Sequence, residues 1–248
     1  MKKFILVYFI SAFTIISFVP LNSYSQLKIL LGPAIGLTTP TVDYTGETTD
    51  YYAGTKYGLR SAINFGAMGK VSLGPINFNL SVIYTPLSND GRSEPDKSNS
   101  SVEIKQNLFT IALGTQYGFS VPASPIKPYI GFDLLFTTIS GSTKFQGTQN
   151  VTSNVINLNT TTRTGLGFAA GAEIKLLGSA LDISLRYNLI NLFSKDYDGS
   201  PTGNRDEVYK YLNDGEDPNY SAADVKHPVG DKRTIATIQF QLGVLFGF

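Results

Sequence analysis

The chain ends in the stretch Ala236-Thr-Ile-Gln-Phe-Gln-Leu-Gly-Val-Leu-Phe-Gly-Phe248, in which apolar residues alternate with mostly small or polar ones. Every second residue from Ala236 to Phe248 is apolar. Because successive side chains of a β-strand point to opposite faces of the sheet, this pattern predicts a strand of about 13 residues with one apolar face. The stretch therefore indicates an all-β fold.

The same alternation recurs along the chain and predicts eight strands, each long enough for the roughly 9–11 residues that a tilted membrane strand needs. The connections between them are alternately long and short, which predicts an eight-stranded antiparallel up-and-down transmembrane β-barrel with short periplasmic turns and long extracellular loops. The predicted strands are 27–37, 57–73, 76–87, 102–119, 129–140, 161–177, 181–193 and 233–248. The long connections are 38–56, 88–101, 141–160 and 194–232, and the short ones are 74–75, 121–128 and 178–180.

Charged residues within the predicted strands indicate which face meets lipid, because a Lys or Arg facing lipid at mid-depth costs about 2–4 kcal/mol. Nine of them share the face that carries the small and polar residues. Glu103 and Lys105 share the outward register of Phe109 but lie toward the outer loops, where water is available, so the apolar face carries no charge at membrane depth. Eight strands enclose only enough space for side chains, so a face rich in glycine suits the interior. We therefore expect the apolar face to point outward. The nine inward charged residues are Lys28, Arg60, Lys70, Asp133, Arg163, Glu173, Lys175, Asp182 and Arg186.

The composition excludes several classes of function. The balance of 20 basic and 19 acidic residues gives no overall field that would attract nucleic acid. The absence of cysteine excludes disulfides, thiolate chemistry and lipid attachment to an N-terminal cysteine. No glycine-rich phosphate loop and no zinc-ligand spacing occurs, so we expect no cofactor.

The first 25 residues have the three regions of an export signal. Lys2 and Lys3 precede the apolar run 4–19, and a polar region follows in which Ser23 and Ser25 suit cleavage before Gln26. The alternative is a membrane anchor, but the apolar run is shorter than the roughly 20 residues of a spanning helix. We predict a signal peptide at 1–25 and a barrel domain at 26–248.

The terminal strand also resembles the β-signal of bacterial outer-membrane proteins, and residues 128–132 resemble a stretch common in the OmpA/OmpX-type family of small outer-membrane barrels. This resemblance implies an outer-membrane location in a Gram-negative bacterium, contact with outer-membrane lipid and lipopolysaccharide, and a monomer. It also implies recognition by the barrel-assembly machinery, and it carries over no catalytic signature. The residues of the β-signal are Phe240, Leu242, Val244, Phe246 and Phe248.

The inward charges have two interpretations. Buried ions must be paired or they cost several kcal/mol each, so a salt-bridge network that fills the barrel is the first. The second is a narrow gated channel whose path opens when pairs exchange. The residues of the expected network are Lys28, Lys70, Asp133, Glu173, Lys175, Asp182 and Arg186.

Signs of catalysis and metal binding are weak. A lipid A-modifying enzyme would pair a histidine with serine and a carboxylate, and the single histidine, His227, lies in the longest loop. Oxygen-bearing residues between Asp196 and Glu207 follow the spacing of a calcium loop, but Pro201 replaces its turn glycine. We therefore predict no catalytic, cofactor-binding or metal residues.

The function is expected to lie in the loops of a non-enzymatic barrel, with a surface protein or a glycan as partner. The alternatives are transport of a small solute and an accessory role in outer-membrane transport or secretion. Loop tyrosines are the candidates for contact, although for Tyr57 a place in the membrane–water girdle is preferred. These tyrosines are Tyr44, Tyr51, Tyr52, Tyr57, Tyr197, Tyr209, Tyr211 and Tyr220.

The export signal predicts the mass of the mature protein. Intact-mass spectrometry of the protein extracted from outer membranes should give a chain that begins at Gln26. A mass that includes residues 1–25 would contradict the cleavage and favour the anchor.

Overall fold

Eight antiparallel strands close into one barrel in the computed structural model, which describes residues 28–198, 205–217, 220–221 and 228–247. Each strand pairs with its neighbours in sequence, and the last strand pairs with the first. The strands are β1 Lys28–Val42, β2 Ala62–Leu73, β3 Ile76–Gly91, β4 Ser101–Gly118, β5 Ile126–Gln146, β6 Val155–Leu176, β7 Ser179–Leu189 and β8 Ile235–Gly247. Two short helices lie in the loops, α1 Thr48–Ala53 and the 3-10 helix Arg205–Lys210.

All eight predicted strands are confirmed in place, but several of their ends are not. Residues 141–160 were expected to form a loop, yet much of this range continues β5 and β6 as a paired hairpin, with Gly141 opposite Leu158. Strands rich in polar residues can pair outside the membrane as well as within it. A polar sequence alone therefore does not mark the end of a strand. In contrast, β2 begins only at Ala62, which leaves Arg60 exposed outside the strand.

The connections divide the barrel into two ends. At one end, called the turn end here, β2–β3 and β6–β7 are joined by two residues each, with Gly74 and Gly178 at φ 65° and 74°. Glycine takes this left-handed conformation without strain, which is why these turns can be so tight. The other end, called the loop end, carries the connections 43–61, 92–100, 147–154 and 190–234, here loops 1 to 4.

The outward face of the barrel is a belt of exposed apolar side chains, as the alternation predicted. On β8 the outward residues are Phe240, Leu242, Val244 and Phe246, whereas Phe248 lies outside the described residues. Other members of the belt are Ile35, Phe65, Leu80, Phe109, Ile111, Leu113, Ile130, Phe132, Phe168, Leu185 and Ile238. No helix in the described part of the chain has the length and hydropathy needed to cross a membrane.

The belt predicts that the free-energy cost of a charged substitution depends on its depth in the membrane. Leu113→Arg, in the apolar belt on β4, should lower the free energy of unfolding from lipid vesicles by about 2–4 kcal/mol, because the guanidinium would face hydrocarbon. Val155→Arg, at the loop end of β6 and also exposed, is the matched control and should change it by less than about 1 kcal/mol. Equal effects in urea titrations would contradict the assigned lipid face.

Candidate functional site

The lumen near the turn end contains a buried ion-pair group. The Lys70 ammonium, whose side chain is fully buried, forms a salt bridge with Asp182 and lies 3.8 Å from Glu173. Tyr129 donates its hydroxyl to Asp182 over 2.9 Å, and the Lys70 nitrogen lies 4.5 Å from the centre of the Tyr129 ring. The group therefore joins β2, β5, β6 and β7 across the lumen.

A second ion pair lies farther from the turn end. The Arg186 guanidinium donates to Asp133 over 2.6 Å, and the Asn79 amide donates to the other carboxylate oxygen over 2.6 Å. Gly114 makes room for this pair, because a Cβ there would lie 2.1 Å from Asp133 Oδ1. A side chain at Gly171 would likewise meet the Tyr129 hydroxyl at 2.7 Å. Glycines therefore leave the space that the buried ions and their partners fill.

The predicted charge network is thus corrected in two respects. It is divided into two groups, and it lacks two of its seven expected members. Lys28 and Lys175 face the lumen but stay exposed at the turn end, and neither has a carboxylate within ion-pair distance among the described residues. They lie at the ends of β1 and β6, where water competes with any partner.

The interior near the loop end is apolar and aromatic. Tyr44 and Tyr57 pack edge to face with ring centres 5.3 Å apart, and Tyr209 lies 4.7 Å from Phe145 and 5.4 Å from Tyr51. Burial raises the pKa of the Tyr44 hydroxyl well above its usual value, and the neighbouring Tyr57 raises it further. This cluster also contains Leu59, Leu87, Val102, Ile104, Leu108, Ile139, Val151, Ile156, Ile190, Leu212 and Ile235.

This cluster corrects the interpretation of the loop tyrosines. Tyr44, Tyr51, Tyr57 and Tyr209 are between 0% and 8% exposed, so they are core residues and are not available to a partner. The preferred girdle position of Tyr57 is wrong as well, because its hydroxyl donates to the Leu212 carbonyl over 2.9 Å inside the cluster. These four tyrosines point inward and fill the mouth of the barrel.

Loop 4 is held across the mouth by a buried clamp. Arg163 on β6 binds Asp214 through two nitrogens, at 2.9 Å for Nε to Oδ2 and 2.7 Å for Nη2 to Oδ1. The Asn191 amide donates to Asp214 over 2.7 Å. Arg233 donates to the Leu212 carbonyl over 2.7 Å, and its guanidinium lies 4.1 Å from the centre of the Tyr57 ring. A two-point contact between buried ions fixes both position and orientation.

The four loops are joined to one another in a single cap. Loop 1 donates the Thr48 hydroxyl to the Arg92 carbonyl in loop 2 over 2.7 Å, and it donates the Tyr52 hydroxyl to loop 3 over 2.7 Å. Loop 2 contacts loop 3 through the Ser93 hydroxyl at 2.8 Å from Thr148 Oγ1. Asp206 accepts a backbone N–H of loop 3 over 3.0 Å and so joins loop 4 to the cap.

The candidate catalytic and metal residues that the structure describes form no metal site. His227 and residues 199–204 of the possible calcium loop lie outside the described residues. Within the described ranges, no group of three or more His, Cys, Asp and Glu could hold a metal ion. Asp206 is engaged with loop 3, and Glu207 pairs with Lys210 over 2.6 Å.

Some residues of the site escaped sequence reasoning. Lys127 faces the lumen from β5, but it lies within the predicted short connection 121–128 and so is missing from the charges of the predicted strands. Asp214 lies in the predicted loop 194–232 and Arg233 begins the predicted strand 233–248, and neither was counted among the inward charges, although both are buried. The sequence did contain a signal for the partner of Arg163, because an arginine in an inward register needs a carboxylate.

The fold and the sequence match known outer-membrane barrels. The family described as outer membrane protein beta-barrel domain matches residues 9–246. Among solved structures, a major outer membrane protein from Thermus thermophilus is 12% identical with a TM-score of 0.52, over 90% of this chain and 100% of that one. Neisserial surface protein A is 16% identical with a TM-score of 0.49, over 89% of this chain and 97% of that one. No curated protein matches the sequence.

The clamp predicts that loop 4 depends on Asp214. Asp214→Ala leaves the Arg163 guanidinium buried and unpaired. The backbone amides of 190–198 and 205–217 should therefore lose about 3 kcal/mol of protection against hydrogen exchange. Glu216→Ala is the matched control, because Glu216 pairs with Lys232 on the exposed surface, and it should leave the protection of loop 4 unchanged. Unchanged protection in Asp214→Ala would show that the clamp does not hold the loop.

Proposed function

This chain belongs to the outer membrane protein β-barrel domain family, and we propose that it is a closed, non-enzymatic barrel that presents a preorganised cap at the cell surface. In this proposal the loop end faces outward and the turn end faces the periplasm. The observation that carries it is the joining of all four loops by hydrogen bonds above a mouth that their own side chains fill.

A closed lumen argues against a conduction role. An eight-stranded barrel leaves room only for side chains, whereas open porins need about 16 strands. Here the ion pairs Lys70–Asp182 and Arg186–Asp133 occupy the lumen toward the turn end, and the aromatic cluster occupies the loop end. A cavity between these layers has room for roughly one or two water molecules.

The same cavity is the observation that favours the narrow gated channel as the second candidate. Arg186 Nε and Nη2, Gln239 Nε2 and both amide atoms of Gln241 are buried there without a protein partner. Water in the cavity would satisfy them, and exchange of the ion pairs would connect it to the turn end. That exchange breaks buried pairs, which costs about 3–5 kcal/mol each, so the closed form dominates.

The cap suits recognition of a surface protein or a glycan. Its loops are held before binding, so a partner has less conformational entropy to remove. The exposed residues at the tips of loops 2 and 3 are polar and carry both signs of charge, with Asp96 and Lys97 beside Asn99, Gln149 and Asn150. A rigid, polar and charge-balanced surface favours hydrogen-bonding partners over nucleic acid or an apolar helix.

Other parts of the proposal concern biogenesis and surroundings. The outward β8 residues would serve as the β-signal for the barrel-assembly machinery, and the apolar belt would contact outer-membrane lipid and lipopolysaccharide. We propose a monomer, since the closed barrel has no sheet edge within its belt for a second copy. The proposal also includes export by a signal peptide at 1–25 that is then cleaved.

Photo-crosslinking on intact cells tests the surface role. A photoreactive residue at exposed Asp96 in the cap should capture a discrete partner, and protease or glycosidase treatment of the product tells protein from glycan. The matched position is Leu177, fully exposed at the tip of the β6–β7 turn, which should give a different product or none. A cap that captures nothing, or the same species as Leu177, would count against the proposal.

A further inference from the structure

The turn end of the lumen carries lysines that the ion-pair groups do not use. Lys28 on β1, Lys127 on β5 and Lys175 on β6 all lie in the inward register at the ends of their strands. Lys70 lies deeper in the same lumen, already bound to Asp182. The lysines come from opposite sides of the barrel, so together they surround its opening.

Within the described ranges, none of these three lysines forms a salt bridge. Lys127 donates only to the Gly74 carbonyl, over 3.2 Å, which shows that its side chain extends toward the β2–β3 turn. In the described part of the chain, neither Lys28 nor Lys175 has a carboxylate within ion-pair distance. Glu173 is opposite Lys127 in the β5–β6 pairing, but its carboxylate approaches Lys70.

The charges of this opening do not balance. Four lysines face the two carboxylates of Asp182 and Glu173, while Arg186 and Asp133 neutralise each other deeper in the lumen. The described residues therefore leave an excess of two positive charges at the opening. A phosphate monoester or inorganic phosphate carries roughly −1.5 to −2 at neutral pH, and lysine is a common ligand of phosphate as a point charge.

A buried amide provides a second, independent observation. Gln116 on β4 is 2% exposed, and neither its Nε2 nor its Oε1 has a hydrogen-bond partner. Gln116 lies in the same cross-strand row as Lys28, through Asn77 and Ser72. Because the strands of a barrel tilt, this row runs from the opening into the lumen, so the amide lies deeper than the lysine. The N–H groups of a side-chain amide can donate hydrogen bonds to phosphate oxygens.

We propose that the turn-end opening, surrounded by Lys28, Lys127 and Lys175, binds a phosphate-bearing anion. The cap closes the loop end, so the anion enters from the side of the short turns. Its source is either a free phosphorylated solute or the headgroup of an anionic phospholipid bent around the rim. The site goes beyond the surface role of the cap and does not depend on it.

Phosphate binding to the full barrel, folded in zwitterionic detergent without phospholipid, tests this site. Titration calorimetry with inorganic phosphate should show saturable binding to the natural protein. Lys28→Gln, Lys127→Gln and Lys175→Gln combined should weaken it at least about tenfold, since the excess charge is removed. The matched control, Lys105→Gln, Lys144→Gln and Lys232→Gln at the loop end, removes the same charge and should stay within about twofold.

Two further measurements complete the test. If the triple variant fails to fold, Lys127→Gln alone replaces it, with an expected loss of about threefold or more. If phosphatidylglycerol in nanodiscs competes with phosphate and phosphatidylcholine does not, the headgroup is the source of the anion. If phosphatidylglycerol does not compete, the source is the free solute. Absence of saturable binding, or equal weakening by the loop-end control, would overturn the proposal.

Discussion

A lumen that holds only side chains is the constraint on which this structure depends. The closed ladder satisfies the backbone of all eight strands, as a lipid environment requires, but it encloses too little space for a column of water. Each charged group buried in the lumen must therefore find a partner within reach. Glycine at position 114 admits the Asp133 carboxylate, and Asp133 in turn binds Arg186. Space and charge are satisfied together.

The two ends of the barrel meet this constraint by different chemistry. Toward the turn end the lumen is crossed by ion pairs such as Lys70 with Asp182, and cationic side chains remain at the rim. Toward the loop end it is filled by tyrosines and aliphatic residues that the loops themselves supply. The loops thus have two roles, because their inward side chains close the mouth and their outward side chains form the surface. Rigidity of the cap is a consequence of closure.

The strands could be predicted from the sequence because a period of two is a local property, and the charge-free register required only counting. The partners of the loops could not. Arg163 and Asp214 are 51 residues apart, and nothing near Asp214 in sequence distinguishes it from a solvated loop acid. The prediction that the loop tyrosines lie on a binding surface was wrong for the same reason, since an amphipathic side chain suits an interface, a binding surface and a core equally well. The inward charges were recognised individually, but register across the barrel decides which of them meet.

The closed lumen is tested most directly by current recording on the purified protein in planar lipid bilayers. With the ion pairs and the aromatic cluster both in place, the barrel should insert without producing stable conductance steps. Stable, reproducible steps from the natural protein would contradict the closed lumen, and the narrow gated channel would then take the place of the surface barrel as the leading account.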